Sequence, residues 1–301
     1  MFKNVLVTGG TGFLGKRLSR ERPHWHYLSS RECDLTDHKQ VRELYKDLNP
    51  EAVLHLAARV GGIKDNVDNQ ADFFYLNTMM NTNVLREAHK AGIGRVLSCL
   101  STCAFPERLV FPYSENSFFH GPPTATNFSY GMTKRMLHVG SMAYREQHNL
   151  NYSTFCPSNL YGPDDHFGKE SSHFVPSLIH KAFTAKPGSD IELWGSGRPL
   201  RQQLYVDDLC KLLPILLETH NTTAPLIVAP AENLSILHMA ETLIEQIDKN
   251  VRLSFNGELD GQFRKDGSNE ALMKIVGSFE FTKFKDGVIK TYQWYSENQN
   301  E

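Results

Sequence analysis

The chain has 301 residues, 40% of them hydrophobic and 22% charged, with a net charge of −2. That is enough apolar side chain for a large core in one or two domains, and too little net charge for a global field that gathers nucleic acid or an anionic membrane surface. No window approaches the length of a membrane span, and MFKNVLVTGG has no export leader's apolar run, so a cytoplasmic protein is expected. The five cysteines, at 33, 99, 103, 156 and 210, show neither zinc nor disulfide spacing, so free thiols and no metal are expected.

Val5-Leu6-Val7 is a short apolar run of the kind buried on both faces of a parallel sheet, and it leads into Gly9, Gly10, Gly12 and Gly15. In the pattern G-G-x-G-x-x-G, Gly9 permits the tight turn, Gly12 lets backbone approach a ligand and Gly15 lets the next helix press on the sheet. The start of that helix offers free N–H groups and a positive dipole end to a pyrophosphate. An ordinary βα turn also uses such glycines. Their place directly after the first strand favours a dinucleotide cradle made by Gly9, Thr11, Gly12, Phe13, Leu14 and Gly15.

Pro23 predicts an unusually short first helix, and 26–29 reads as the second strand. Asp37 is the expected N-cap of a helix with Val41, Leu44, Tyr45 and Leu48 on one face, ended by Asn49-Pro50. A strand over 52–56, a helix over 72–91 facing Met80, Val84 and Ala88 inward, a strand over 95–100, a helix over 130–148 and a strand over 152–156 continue the alternation. Such alternation predicts an α/β fold: a right-handed, doubly wound, parallel Rossmann sheet.

After Pro157 the rhythm changes. Residues 163–200 are rich in Gly, Pro, Ser and His around one amphipathic helix over 174–183, which suits a smaller α/β lobe. The strand over 204–206, a helix to Glu218 and the strand over 226–228 read as a return to the first domain. Ser235 caps a predicted helix carrying Ile236, Met239, Leu243 and Ile247, followed by a strand over 252–255 and a last helix over 285–295 with Val288, Ile289, Tyr292 and Tyr295 inward. The expected division is a cofactor domain of residues 1–163 with 203–231, and a substrate domain of 164–202 with 232–301.

The second strand ends Ser29-Ser30-Arg31 where NAD binders usually carry an acidic side chain. Two hydroxyls and a guanidinium suit a 2′-phosphate, so NADP is favoured; a polar surface turn remains the alternative, with Glu32 close by. Asp34 stands where it can reach an adenine. Tyr130 and Lys134 are four apart, on one helix face, where an ammonium can act on a phenol as proton donor or acceptor. Ser101 lies just past the strand over 96–100, at the carboxyl edge where open α/β sheets place their sites.

The glycine loop, Leu56-Ala57-Ala58, Ser101, Tyr130-x-x-x-Lys134 and Pro157-Ser158-Asn159 together resemble the extended short-chain dehydrogenases/reductases. More narrowly, HLAARVGGI (55–63), CLSTCAFP (99–106), PSNLYGPDDHF (157–167), SSHFVPSLIHK (171–181), WGSGRPLRQ (194–202) and DGQFRK (260–265) resemble the GDP-L-fucose synthase family, over nearly the whole chain. The resemblance implies a 3,5-epimerase and 4-reductase acting on a GDP-4-keto-6-deoxy-sugar. By it, Cys103 is the epimerisation base and His173 the acid on the opposite face, while Tyr130, Lys134 and Ser101 serve hydride reduction from NADPH. It also places Leu35, Leu56, Ala57, Ala58, Pro157, Ser158, Asn159, Leu160, Lys134 and His173 at the cofactor, and Lys181, Trp194, Arg201 and Asp260 at the nucleotide-sugar. Some members have arginine at the place of Lys181, so a point charge here replaces a two-pronged grip. A homodimer through the helices over 72–91 and 130–148 is implied as well, with no nucleic-acid or membrane partner.

Three alternatives compete with this reading. A 4,6-dehydratase of the superfamily carries acidic residues where this chain has Thr102-Cys103, and a UDP-sugar 4-epimerase has no use for the Cys103/His173 pair. A non-catalytic relative commonly loses the tyrosine or the lysine, and both are present.

Overall fold

Val5, Leu6 and Val7 have no exposed surface, because the strand they form, β1 (Val5–Thr8), is interior to a sheet covered on both faces. The computed structural model describes residues 2–168, 172–247, 249–257, 260 and 262–298. Ser171 and Gly261, part of two runs quoted above, lie outside the described residues.

The first half alternates as expected, apart from an unanticipated short helix α3: α1 (Phe13–Glu21), β2 (His26–Leu28), α2 (His38–Leu48), β3 (Ala52–His55), α3 (Ile63–Asp68), α4 (Gln70–Lys90), β4 (Arg95–Cys99), α5 (Phe128–His148) and β5 (Asn151–Pro157). Asp37 caps α2 by accepting from the Lys39 N–H, and Asn49 ends it in the left-handed conformation. The second half carries β6 (Asn159–Tyr161), α6 (Phe174–Thr184), β7 (Asp190–Leu193), β8 (Leu200–Arg201), β9 (Gln203–Tyr205), α7 (Val206–Thr219) and β10 (Leu226–Val228). Then come β11 (Leu234–Ser235), α8 (Ile236–Ile244), β12 (Arg252–Phe255), β13 (Arg264–Lys265), α9 (Glu270–Val276) and α10 (Phe284–Asn298).

Six strands in the order β10-β5-β4-β3-β1-β2, all parallel, make the large sheet. Successive side chains alternate between two cores. Leu6, Val53 and Val96 face α2, α4 and α5, while Val5, Leu54 and Leu97 face α1, α7 and α9. The strand order reverses at β1, so the crevice of this sheet opens at the carboxyl ends of β1 and β3. A third core joins α6, β7, α8 and α10 into the smaller lobe.

The structure corrects one expectation and refines another. The segment from 204 does return to the core of the first domain, where Leu204, Val206 and α7 pack under the large sheet, but β9 itself pairs in parallel with β6 and only β10 joins that sheet. Ile247 is not on the helix capped by Ser235, which ends at Ile244. The turn beyond it is tied to the end of α6 by the Lys249 ammonium, which donates to the carbonyls of Ala182 and Ala185.

Buried imidazoles make the fold sensitive to acid. Burial pushes His55, His138 and His220 to about 4. His138 and His220 share Thr154, one through its hydroxyl at 2.7 Å and the other through its carbonyl at 2.9 Å. The unfolded chain therefore binds more protons than the native one between the ordinary histidine value of 6.5 and about 4, and stability falls as pH drops through that window. Asp165, raised by burial to about 7, opposes this with a single group. A melting temperature measured across this range should fall steadily from pH 7 to pH 4.5; an unchanged one would refute the neutral assignment of these rings.

Candidate active site

Ser101 and Cys103 are delivered by β4. The strand's last residues lead into a 3₁₀ turn, Thr102–Ala104, whose N-cap is Ser101, its hydroxyl accepting from the Cys103 N–H at 3.2 Å. Helix α5 lies across this turn so closely that a Cβ on Gly131 would stand 2.5 Å from the Cys103 carbonyl. The glycine between Tyr130 and Lys134 thus sets how near the helix comes to the thiol.

Lys134 is 2% exposed and donates to the Cys99 carbonyl at 2.8 Å, with its ammonium 5.9 Å from the centre of the Tyr130 ring. Burial holds this ammonium below its usual range. The Tyr130 phenol is pushed well up, chiefly by burial and then by the neighbouring thiols Cys103 and Cys99; a hydrogen bond with Ser101 acts in the opposite sense. Tyr130 is therefore a protonated phenol, poised to donate.

The thiol of Cys103 accepts two hydrogen bonds. Asn127 Nδ2 donates at 3.0 Å and Lys265 Nζ at 3.7 Å. Two donors, one of them an ammonium, are thus aimed at one sulfur. Sequence reasoning missed both residues. Lys265 stood at the end of a quoted run without a role, and Asn127 is one turn before Tyr130 with no rule to single it out.

His173 is the N-cap of α6 and stays open to solvent. The protein packed about its ring, then the charges of Lys265 and His166, hold it below the ordinary imidazole range. The Lys265 ammonium thus acts on the thiol and on the imidazole alike. In the parallel pairing of β13 with β8, Lys265 stands opposite Arg201, so two cations share one register position.

Arg201 is followed outward by Asp260, whose carboxylate accepts from the Ser196 N–H at 2.8 Å and hydroxyl at 2.6 Å and contributes to the electrostatics at Arg201. Trp194, two residues before Ser196, is 74% exposed. Lys181 on α6 donates to the Glu192 carbonyl of β7 at 2.8 Å, on the same side of the lobe. Of the residues expected at a nucleotide-sugar, Arg201 and Asp260 are electrostatic neighbours, Trp194 lies close by in the chain, and Lys181 is tied to β7 at Glu192; β8 and β13 connect Arg201 to the Lys265 that reaches the thiol.

The glycine loop fits a pyrophosphate. Gly9 has φ of +73°, and a Cβ there would stand 2.9 Å from the Ala57 nitrogen, so the loop presses on Leu56-Ala57-Ala58. Helix α1 starts at Gly12 with no side-chain cap, beside exposed Thr11 and half-buried Phe13 and Leu14, leaving its first N–H groups for a ligand. At the end of β5, after Pro157, the Ser158 hydroxyl is buried without a partner among the described residues, with Asn159 exposed and Leu160 half-buried next to it. Near the adenine end the picture differs from the expectation. Ser29 donates its N–H and hydroxyl to Glu32, at 2.7 and 2.6 Å, so Ser30 and Arg31 are the exposed groups left for a phosphate. Asp34 is engaged with Thr36, and Leu35 is packed in the core.

A model of the NAD dependent epimerase/dehydratase family matches residues 5–228. The chain is 35% identical to a probable GDP-L-fucose synthase of Drosophila melanogaster, with 99% of each chain covered. It is 34% identical to the GDP-L-fucose synthase of Dictyostelium discoideum, over 98% of this chain and 96% of the other. A crystal structure of a GDP-L-fucose synthetase from Naegleria fowleri bound to NADP superposes with a TM-score of 0.91 at 32% identity, covering 99% of this chain and 94% of that one.

Of the five thiols, Cys33, Cys156 and Cys210 are buried and burial pushes Cys99 up to about 11, so alkylation at pH 7.5 reads Cys103 with little background. A hydrogen bond to a charged acceptor is worth about 1.5–3 kcal/mol, so Lys265→Met or Asn127→Leu should slow iodoacetamide labelling of Cys103 about fivefold or more, followed by peptide mass spectrometry. Equal rates in variant and parent would show that neither donor acts on the sulfur.

Proposed function

The chain belongs to the NAD-dependent epimerase/dehydratase family and groups there with the GDP-L-fucose synthases, and from that premise we propose that it inverts C3 and C5 of GDP-4-keto-6-deoxy-D-mannose and then reduces the C4 ketone with NADPH. The observation that carries the reading is the Cys103 thiol, held by Asn127 and Lys265 beside the Ser101, Tyr130 and Lys134 set.

Protons on the carbons flanking a ketone are acidic because their loss leaves an enolate. Cys103, as thiolate, takes such a proton, and Ser101 and Tyr130 donate to the oxygen on which the charge collects. His173 returns a proton to the opposite face; its lowered affinity for protons makes the imidazolium a stronger acid. Lys265 thereby assists base and acid together. NADPH, when bound, supplies the hydride to C4. Tyr130, kept protonated by its surroundings, gives its proton to the resulting alkoxide, while Lys134 holds the ribose beside it. The same two hydroxyls thus serve both stages, since each develops negative charge on the same oxygen.

Arg201 and Lys181 act on the diphosphate, Trp194 and Asp260 on the rest of the nucleotide-sugar. On this reading residues 1–163 and 203–231 carry the cofactor and 164–202 with 232–301 hold the sugar, except that α9 packs back on the large sheet. NADPH preference rests on Ser30 and Arg31. The unpaired thiols suit a cytoplasmic setting. Among the described residues no helix is long and apolar enough to cross a membrane. Phe74, Tyr75, Met136 and Val139, 47–59% exposed on α4 and α5, form an apolar face for a homodimer, which Met136→Glu should convert to monomer in light scattering.

In deuterated water the protein should oxidise NADPH with GDP-4-keto-6-deoxy-mannose and leave deuterium at C3 and C5 of the product. Cys103→Ser should suppress the labelling by tenfold or more. Tyr130→Phe should stop reduction and spare most exchange, because Ser101 remains. A product labelled at neither carbon removes the epimerase half, and equal losses of both steps in both variants refute the division of labour.

A further inference from the structure

One buried titratable side chain has no part in the mechanism above. His55, the last residue of β3, is 1% exposed and has both ring nitrogens engaged. We propose that His55, with Asn81, is a positioning residue: it locks the cofactor loops to the catalytic helix and so fixes where Lys134 and Tyr130 meet the nicotinamide. The inference deepens the reading just given and rests on it for the identity of the reaction.

The direction of each hydrogen bond can be worked out. The Thr8 hydroxyl, at the end of β1 just before the glycine loop, accepts from the Leu56 and Ala57 N–H groups, both at 3.2 Å. Its lone pairs are thereby used, and its one proton goes to His55 Nδ1 at 2.7 Å. The ring is then neutral with its hydrogen on Nε2, which donates to Asn81 Oδ1 at 3.0 Å. Asn81 Nδ2 in turn donates to the Thr133 carbonyl of α5 at 3.3 Å. Thr133 bonds the Tyr130 carbonyl through its own hydroxyl at 2.7 Å and immediately precedes Lys134.

One unbroken chain of donors thus runs from the pyrophosphate loop, through the segment at Leu56-Ala57, across α4, to the turn that carries both catalytic side chains. No member can be reversed without leaving a buried group unpaired, and each such loss costs about 1–3 kcal/mol. A charged ring would break the Thr8 bond and face the nearby Lys134 ammonium. Burial and that ammonium push His55 to about 4, so it stays neutral at working pH. Asn81 bonds the carbonyl of Thr133, the residue before Lys134, so the chain bears first on Lys134 and Tyr130, and neither Cys103 nor His173 is among its members.

The test uses the full-length protein and two variants that keep the helix and sheet packing. Asn81→Leu cuts the link to α5. His55→Gln keeps a donor toward Asn81 and should restore most function. NADPH affinity, read by nicotinamide fluorescence without any sugar, should weaken about fivefold in Asn81→Leu and less than twofold in His55→Gln. With the ketosugar, hydride transfer in Asn81→Leu should fall about tenfold while deuterium exchange at C3 and C5 stays within twofold. Melting temperatures accompany each measurement, because a purely structural role lowers stability without separating the two steps. Unchanged NADPH affinity in Asn81→Leu, or exchange and hydride transfer falling together, overturns the proposal. Failure of the parent protein to oxidise NADPH with the ketosugar would instead sink the functional reading, and the binding arm would still decide the role of His55.

Discussion

A parallel sheet covered by helices on both faces can meet a ligand only along its edge, and everything functional in this chain follows from that constraint. Val5 to Val7, Ala52 to Leu54 and Val96 to Leu97 are wholly buried, so the strands have no surface to offer. Their carboxyl ends do. The glycine loop leaves β1, Leu56-Ala57 leaves β3, Ser101 and Cys103 leave β4, and Ser158 leaves β5. Four strand ends in one row assemble a site that no single stretch contains.

Within that row, charge is managed by burial. Lys134 and the Tyr130 phenol are both driven toward their neutral forms, which keeps the phenol a donor and concentrates the ammonium's influence on what lies next to it. Lys265 reaches in from the smaller lobe and supplies the positive charge at the thiol. Its sheet partner is Arg201. The thiol's cationic donor and Arg201 are therefore held in one strand register.

Much of the scaffold was legible in the sequence because helix caps and apolar periods are local. Asp37 and Ser235 cap the helices they were expected to cap, and the alternation of strand and helix through β5, short α3 apart, was readable from apolar periods, caps and prolines. What escaped was set by tertiary contact. The pairing of β6 with β9 joins three-residue strands in a Gly- and Pro-rich region, and the premature end of α8 depends on Lys249 reaching the carbonyls of α6. Helix α9, seven residues whose Leu272 fills the core under α7, left no period long enough to see. For the site, Tyr130, Lys134 and Ser101 had spacing or position to recommend them. Cys103 and His173, seventy residues apart, were visible only through family resemblance, and Asn127 and Lys265 only once the thiol had coordinates.

The central claim is that one pocket performs two separable reactions on one ketone, so it is best tested where the second cannot occur. The protein should be incubated in deuterated water with GDP-4-keto-6-deoxy-mannose and NADP⁺ in place of NADPH, and the recovered sugar examined by NMR. Deuterium at C3 and C5 with the C4 ketone intact is the expected result. Recovery of unlabelled ketosugar would mean that the thiol and imidazole do not act as base and acid, and the account of this cleft would fail.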